Sequence, residues 1–190
     1  MFFKKSKISG SAVEMTEETA SQELKNGSRA AFDFLYECYG RKVYVFCLRM
    51  LGDEEVAKDV FQETFVKIFE KRKEFHGENF PAWAFTIARH ACLNAIRSKK
   101  DFDEIDENDR VCDNLNNEDV QMREFIEQSL QKLPVAYREV LVLREYQECS
   151  YQEIAEILGI ELANVKVRVH RARTLMRKLL TPIAKEYYEH

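Results

Sequence analysis

The side chains best suited to contact a ligand lie near the carboxyl end of the chain, within residues 161–178. Six lysines or arginines occur there against one acid, Glu161, while apolar residues recur at helical spacing and predict a buried face. The polar and basic positions that fall largely outside this face are Asn164, Lys166, Arg168, His170, Arg171 and Arg173. A basic helix with such side chains suits the phosphates and base edges of double-stranded DNA. An ordinary helical hairpin with a solvated basic face is the alternative at this point.

A short helix must precede the basic one, and its signals are present in the sequence. Ser150 and Glu153 have the spacing of a capping box, in which each side chain bonds the other residue's backbone amide. Four apolar residues at helical spacing follow: Ile154, Ala155, Ile157 and Leu158. Gly159 then allows the left-handed backbone that ends a helix without steric cost. Together these features predict a helix-turn-helix whose second helix can enter a DNA major groove.

A second basic stretch, residues 80–100, contains no acidic residue. Its cations are Arg89, Arg97, Lys99 and Lys100, and the aromatic residues at or before its start are Phe75, Phe80, Trp83 and Phe85. Aromatic platforms beside a positive groove suit unpaired bases rather than an intact duplex. For Trp83 and Phe85, packing in a core is the competing interpretation. The polar loop of residues 72–79 lacks that alternative, because its polar side chains have no core to fill.

The elements that must position these residues all have the pattern of helices. The chain contains six glycines and three prolines, and no stretch shows the apolar alternation of a strand. The expected helices span residues 16–26, 29 onward in two stretches around Gly40, 54–73, 81–100, 120–133, 135–145, and the two helices of the helix-turn-helix. The sequence therefore predicts an all-α fold.

The charges are unevenly distributed along the chain. The formal net charge is −4, yet residues 101–119 contain nine acids and one base, Arg110. This composition predicts an acidic, flexible linker that is extended by self-repulsion and masks the basic surfaces on both sides. The linker divides the chain into two small helical domains, residues 16–100 and 120–182. A disordered tail is expected over residues 1–15 and a fraying end over residues 183–190.

Patterns typical of catalysis or metal binding do not occur in the sequence. The four histidines lack metal-ligand spacing, the five cysteines include no CxxC pair, and there is no Gly-rich phosphate loop. The sequence thus predicts binding rather than catalysis, with no metal and no cofactor. No apolar run is long enough to cross a membrane, and no signal core follows the basic start. We therefore expect a soluble, cytoplasmic protein with no membrane contact of its own.

Four segments also resemble, in order, the motifs of one known protein family. They are AFDFLYECYGRKVYVFCLRMLGD, DVFQETFVKIF, FPAWAFTIARHACLNAIRSKK and LPVAYREVLVLREYQECSYQEIAEILGIELANVKVRVHRARTLMRKLL. On these residues the chain resembles a group IV, or extracytoplasmic-function (ECF), sigma factor of bacterial RNA polymerase. In that family the first three segments belong to region 2, and the second docks on the clamp helices of the largest polymerase subunit. The third melts and reads the promoter −10 element, and the fourth is region 4, which reads the −35 element and contacts the polymerase flap.

The resemblance implies roles for individual residues. Core polymerase is expected to bind the polar stripe Asp59, Gln62 and Glu63, together with Phe65. The −10 surface is expected to comprise Phe75, His76, Glu78, Asn79, Trp83, Arg89, Arg97, Lys99 and Lys100. The −35 contacts would be Asn164, Lys166, Arg168, His170, Arg171 and Arg173. Many relatives are held inactive by an anti-sigma factor, which is a further expected partner.

Two other functions remain open from the residues alone. A conventional helix-turn-helix transcription regulator would bind duplex DNA without polymerase and use its first domain for dimerisation or sensing. A protein-interaction module, such as a decoy for an anti-sigma factor, would work without Arg168 and Arg171. Association with core polymerase separates the first alternative, and removal of those arginines separates the second.

Overall fold

The computed structural model describes residues 15–76, 79–103 and 118–188, without the side chains of residues 100–103, 118–121 and 183–188. The described residues form helices and the turns between them. The helices of the first half are α1 (Glu17–Lys25), α2 (Arg29–Leu51), α3 (Glu54–Glu70), a 3-10 turn (Arg72–Glu74) and α4 (Phe80–Asp103). Those of the second half are α5 (Glu118–Gln131), α6 (Val135–Leu141), a π-helical turn (Val142–Tyr146), α7 (Tyr151–Leu158) and α8 (Leu162–Tyr188).

The all-α prediction is confirmed, although several helix bounds differ from those expected. Helix α2 passes through Gly40 without interruption, and α3 ends at Glu70 rather than at residue 73. Arg72 explains the early end of α3, because it donates to the Phe69 carbonyl at 2.7 Å and its guanidinium lies over the Phe69 ring. At the carboxyl end, α8 extends to Tyr188, so the predicted tail over residues 183–190 is helical as far as that residue.

Most of the predicted linker and tail lie outside the described residues. Residues 1–14 and 104–117 belong to this part of the chain, so the predicted flexibility of the linker remains a prediction. The two ends of the predicted linker, residues 101–103 and 118–119, belong to α4 and α5.

Helices α1 to α4 form the first helical unit. Their apolar faces meet in a core whose largest fully buried side chains are Leu24, Leu35, Phe46, Met50, Ile68 and Phe80. The turn between α2 and α3 is set by local signals, because Gly52 ends α2 with a left-handed φ of 68° and Asp53 caps α3. The Asp53 carboxylate accepts from the amides of Glu55 and Val56 at 3.1 and 3.3 Å. This turn fixes the angle between α2 and α3 and therefore the orientation of the exposed face of α3.

Helices α5 to α8 form the second unit, around Leu130, Leu143, Ile154, Val165 and Val169. The two units match the two predicted domains, but they pack directly against each other. The end of α2 contacts α5, α6 and the π-helical turn, and α4 contacts α7. The buried apolar residues of both units consequently belong to one continuous cluster. The separate DNA-facing surfaces expected from the sequence are therefore parts of one packed arrangement.

Candidate nucleic-acid interfaces

The helix-turn-helix predicted from residues 150–178 has the expected local geometry. The Ser150 amide donates to the Glu153 carboxylate at 2.7 Å, and the Glu153 amide donates to the Ser150 hydroxyl at 3.2 Å, so the capping box is confirmed. Gly159 ends α7 with a φ of 63° and donates its amide to carbonyls of the last turn. The four residues of the predicted apolar stripe of α7 are all buried. The turn thus orients the start of α8 through backbone geometry that glycine adopts at low cost.

The basic helix α8 presents a polar face to solvent. Val165, Val169 and Ala172 are buried on its inner side, as the spacing predicted. Arg168 is half-buried and the other five predicted −35 residues are exposed; apart from Arg173, they are Asn164, Lys166, His170 and Arg171. Within the part of the chain that the structure describes, no hydrogen bond or ion pair engages these four side chains. They are consequently available to a nucleic-acid partner without breaking an internal contact.

The other two predicted −35 residues are engaged by acids of the same helical unit. Arg173 donates to the Glu145 carboxylate from Nε at 2.8 Å and from Nη2 at 2.6 Å. Hydrogen bonding to Glu145 raises the pKa of the Arg173 guanidinium above its ordinary value. Arg168 Nη1 lies 3.6 Å from Oε1 of Glu139, which is only 3% exposed. Both arginines would have to exchange a carboxylate for a phosphate in order to contact DNA.

The structure distributes the predicted −10 residues between surface and core. His76, Arg97 and Lys99 are exposed, Asn79 and Arg89 are half-buried, Glu78 lies outside the described residues, and Lys100 belongs to α4 but its side chain is not among those described. Asn79 caps α4, because its side-chain oxygen accepts from the Ala82 amide at 3.1 Å. Burial and the nearby Arg89 guanidinium lower the pKa of His90, the neighbouring imidazole on α4. The middle of α4, around His90, thus lies among positive charges, as its sequence indicated.

Two aromatic residues of the predicted surfaces lie in the core. Phe75 is 3% exposed and packs with Phe80 and Trp83, whose ring centroids lie 6.1 and 5.0 Å away. Phe65 is 5% exposed and packs against Tyr36 at 4.7 Å and Phe61 at 5.2 Å. Neither ring is exposed to a partner in this arrangement, so neither residue is a direct contact on the predicted surfaces. The polar side chains of residues 72–79 were expected to have no core to fill. Phe75 of the same loop nevertheless lies in the core, where it packs beneath Trp83.

The remaining aromatic residues of this region divide in the same way. Trp83 is half-buried, with one side packed on the Phe75 and Phe80 rings, and Phe85 is 3% exposed. The core interpretation therefore holds for Phe85. Trp83 keeps part of its ring accessible beside Asn79, where it can still act as a stacking surface.

The polar stripe of α3 lies on the surface. Asp59, Gln62 and Glu63 are exposed, and Glu63 forms an ion pair with Lys67 one turn further along the helix. Two apolar side chains beside the stripe were not predicted as contacts, although Val66 is 56% exposed and Phe69 39% exposed. Val66 lies outside the main apolar spacing of the helix, which was the available signal for it, whereas Phe69 was predicted as one of the apolar positions of that spacing. The exposed face of α3 thus combines acids with an apolar patch.

Glu139 is the site residue that sequence reasoning missed. It lies in α6, and its carboxylate is approached by Arg89 of α4, whose Nε donates to Oε2 at 2.7 Å, as well as by Arg168 of α8. One buried acid therefore joins a predicted −10 residue to a predicted −35 residue. No local pattern could identify it, because its two partners are fifty residues before it and in a helix after it. An isolated Glu in an amphipathic helix is ordinarily solvated.

Two features of other functional classes are absent from the described residues. No helix in the described ranges is long and apolar enough to cross a membrane. In the same ranges, no group of three or more His, Cys, Asp or Glu residues is placed to hold a metal ion.

Comparison with known proteins gives the class of the chain. The family Sigma-70 region 2 matches residues 35–102, and the family Sigma-70, region 4 matches residues 124–176. The ECF RNA polymerase sigma factor SigW of Bacillus subtilis (strain 168) is 33% identical over 184 residues, which cover 88% of this chain and 98% of SigW. The RNA polymerase sigma factor YlaC of the same organism is 35% identical over 167 residues, which cover 83% and 96% of the two chains.

A solved structure agrees with these sequence matches. The sigma factor RpoE, in its complex with the anti-sigma factor NepR from Bartonella quintana, matches this fold with a TM-score of 0.67 at 25% identity. The match covers 79% of this chain and 96% of that one. A region 2 followed by a region 4 defines a sigma factor. The chain belongs to the ECF sigma factors of RNA polymerase, and it acts as an alternative sigma factor that directs transcription initiation.

Proposed function

We propose that this sigma factor is a group IV member in which residues 16–100 bind core polymerase and open the −10 element, whereas residues 120–182 read the −35 element. Residues 101–119 connect the two functions. The observation that carries this division is the exposed polar row on α8, behind a capped α7 and a left-handed Gly159. The face of α4 differs from it, since it combines cations with a half-buried indole. The first suits a paired duplex and the second suits unpaired strands.

The −35 reading is proposed to depend on the four free side chains of α8. The Asn164 carboxamide can form two hydrogen bonds to an adenine edge in the major groove. Lys166, His170 and Arg171, whose side chains are exposed, are proposed to contact phosphates or base edges. Arg168 and Arg173 would join them after release from Glu139 and Glu145.

Core polymerase is proposed to bind the exposed face of α3 through Asp59, Gln62 and Glu63. The neighbouring Val66 and Phe69 extend this surface with apolar area, which is what a partner helix with basic and apolar side chains would cover. Phe65 supports the surface from the core. Region 4 is proposed to contact the polymerase flap, as the family resemblance implies.

The −10 element is proposed to be read and held by α4 and the loop before it. His76, Asn79 and Trp83 would contact displaced bases, together with Glu78 outside the described residues. Arg89, Arg97 and Lys99, with Lys100, would hold the strand backbone through charge. In this proposal Phe75 is a packing residue that supports Trp83.

The protein is proposed to work in the cytoplasm on polymerase and promoter DNA, with no membrane contact of its own, and to catalyse no reaction itself. An anti-sigma factor is proposed as a further partner, because the structurally similar RpoE was solved with the anti-sigma factor NepR.

In vitro transcription tests the proposed assignment. The purified protein is mixed with core RNA polymerase and a library of genomic fragments, both from the bacterium that encodes this chain. The 5′ ends of the transcripts are then mapped. The fragments that initiate should share two sequence motifs at constant spacing. Asn164→Ala should relax the base preference at one position of the upstream motif and leave the downstream motif unchanged.

The matched control for Asn164→Ala is Asn26→Ala. Asn26→Ala makes the same chemical change at an exposed position between α1 and α2, and it should leave both motifs unchanged. Absence of initiation on every genomic fragment would exclude the proposal. Polymerase-independent binding to a palindrome would favour the conventional helix-turn-helix regulator.

A further inference from the structure

A valine lies among the polar side chains on the solvent-facing side of α8. Val167 is 48% exposed, whereas Val165 and Val169, two positions before and after it, are buried. Residues two positions apart lie on nearly opposite sides of a helix that has 3.6 residues per turn. Val167 therefore projects away from the core, and it is not one of the side chains that form the continuous apolar cluster.

The side chains next to Val167 on the helix surface are mostly predicted DNA contacts. Residues three and four positions apart are neighbours on the surface of a helix. The four neighbours of Val167 by this rule are all exposed: Ala163, Asn164, His170 and Arg171. Three of these four belong to the predicted −35 residues. Val167 consequently lies in the middle of the surface that is proposed to enter the major groove.

We propose that Val167 is a specificity-determining residue that contacts the C5-methyl group of a thymine in the −35 element. This inference rests on the proposed function of α8 and deepens it, because it names the base that the exposed valine recognises. Among the four bases, thymine alone presents a methyl group in the major groove, and apolar side chains contact it. The isopropyl group of valine has no hydrogen-bond donor or acceptor to offer a base edge. The thymine methyl is therefore the feature of the groove that this side chain complements.

Neither core packing nor helix formation accounts for a valine at this position. Its side chain is outside the core, and β-branched residues lose χ1 freedom in a helix, so they form helices less well than lysine or arginine. Leu162, the other large apolar side chain that is exposed on the described part of α8, differs in this respect. It is 37% exposed and lies three positions before the buried Val165, on the side of the helix that faces the core. The position of Val167 among base-reading side chains thus distinguishes it from an ordinary exposed apolar residue.

The spacing along α8 places this methyl contact close to the base that Asn164 is proposed to read. Three residues advance an α-helix by about 4.5 Å, and neighbouring base pairs are about 3.4 Å apart. The side chains of Asn164 and Val167 can therefore reach bases within about two base pairs of each other. A carboxamide suited to adenine and an isopropyl group suited to thymine predict A·T pairs in this part of the upstream motif.

The test removes single methyl groups from the DNA and measures binding by the complete holoenzyme. Core polymerase is assembled with this factor and purified, and the promoter is the one that initiates most strongly in the transcription assay of the proposed function. Each thymine of the upstream motif, on either strand, is replaced singly by deoxyuridine, which pairs in the same way but lacks the C5-methyl group. Competition against a labelled, unaltered promoter gives the relative affinities.

The unaltered factor should be sensitive to the methyl group of one thymine. Replacement of this thymine should weaken binding by about fourfold, the effect of withdrawing about one methyl group from an apolar contact. It should lie within about two base pairs of the position whose base preference Asn164→Ala relaxes. Holoenzyme with Val167→Ser should bind the thymine and deoxyuridine promoters equally. Val167→Gln should give the same result, and because glutamine favours a helix more than valine does, unfolding of α8 would not explain it.

Val56→Ser is the matched control, since it makes the same chemical change at a valine of α3 that is 36% exposed. It should retain the fourfold discrimination between thymine and deoxyuridine. The proposal would be overturned if Val167→Ser and Val167→Gln discriminated as well as the unaltered factor. An upstream motif in which no thymine is sensitive would overturn it equally. Both outcomes occur on a promoter that initiates, so they differ from failure of the proposed function, which would appear as no initiation on any genomic fragment.

Discussion

Residues 80–100 of α4 and the beginning of α8 are both basic, yet their side chains differ in accessibility. On α4, Asn79 and Arg89 are bonded to acids of the other helical unit, whereas on α8 the side chains of Asn164 and Arg171 face solvent. Charge and periodicity in the sequence identify both helices as candidate DNA surfaces. They do not show which surface is accessible, because that depends on contacts between residues far apart in the chain. Substitutions at these surfaces and at the contacts between the two helical units test this contrast.

The largest effect is expected at Arg138, which joins the two units. This guanidinium is 8% exposed, donates to Met50 and Gln131 and to the Leu133 carbonyl, and its pKa is lowered by burial. Arg138→Met leaves several buried carbonyls without a donor, so the free energy of unfolding should fall by about 3 kcal/mol or more. Urea denaturation followed by circular dichroism measures this loss. Arg171→Met, at an exposed position on α8, should change the same quantity by less than about 0.5 kcal/mol. Equal stabilities of the two variants would contradict the anchoring role of Arg138.

The next effect compares two left-handed glycines, Gly52 at the interface and Gly159 in the helix-turn-helix. Gly52 has a φ of 68° and its added Cβ would meet Gln131, whereas Gly159 has a φ of 63° and nothing within 4 Å. Gly159→Ala should lower the free energy of unfolding by about 1 kcal/mol, the ordinary cost of this backbone conformation. Gly52→Ala should cost about 2 kcal/mol or more, because its Cβ would displace the Gln131 side chain from its hydrogen bond to the Arg49 carbonyl. The difference between their denaturation midpoints isolates the contribution of the interface, and identical midpoints would count against it.

A smaller effect is expected on polymerase binding from the face of α3. Asp59→Ala combined with Gln62→Ala should weaken binding to core polymerase by about tenfold, or about 1.4 kcal/mol, and leave duplex DNA binding unchanged. Biolayer interferometry with immobilised core enzyme measures the first quantity. Glu18→Ala combined with Gln22→Ala makes the same chemical change on exposed positions of α1 and serves as the control. Equal losses in both double variants would show that net charge, and not this surface, governs the interaction.

The smallest effect distinguishes two arginines of α8. Arg171 is exposed, and Arg173 is bonded to Glu145. Arg171→Ala should weaken binding to the −35 duplex severalfold and reduce the slope of log K against log salt by about one, the contribution of one phosphate. Arg173→Ala should reduce this slope less, because its carboxylate partner already neutralises much of its charge. Fluorescence anisotropy at several salt concentrations gives both slopes, and a larger change for Arg173 would reverse this assignment.

The features that the sequence predicted correctly are those set by neighbouring residues. The capping box of Ser150 and Glu153 and the left-handed Gly159 follow from interactions within a few positions. The all-α fold and the buried stripe of α7 follow from periodicity in the same way. Such local signals are sufficient to place a helix-turn-helix and to orient its exposed face.

The features that were missed depend on residues far apart in the chain. Phe75 belongs to a polar loop in sequence, and only its contacts with Phe80 and Trp83 show that it is a core residue. Glu139 resembles a solvated acid until α4 and α8 enclose it. Phe65 occupies an apolar position of α3 and is buried, and only the family resemblance assigned it to the polymerase surface. Tertiary packing decides each of these cases.

The shared carboxylate of Glu139 has a thermodynamic consequence for promoter recognition. If a −35 phosphate draws Arg168 away from Glu139, the ion pair between Glu139 of α6 and Arg89 of α4 changes in strength. Binding at one promoter element then becomes linked to binding at the other. Linkage is reciprocal, so the factor by which −35 duplex raises single-strand affinity must equal the factor by which the single strand raises duplex affinity. Both factors can be measured in the free protein, where they should be equal. In the Glu139→Gln variant, both factors should equal one.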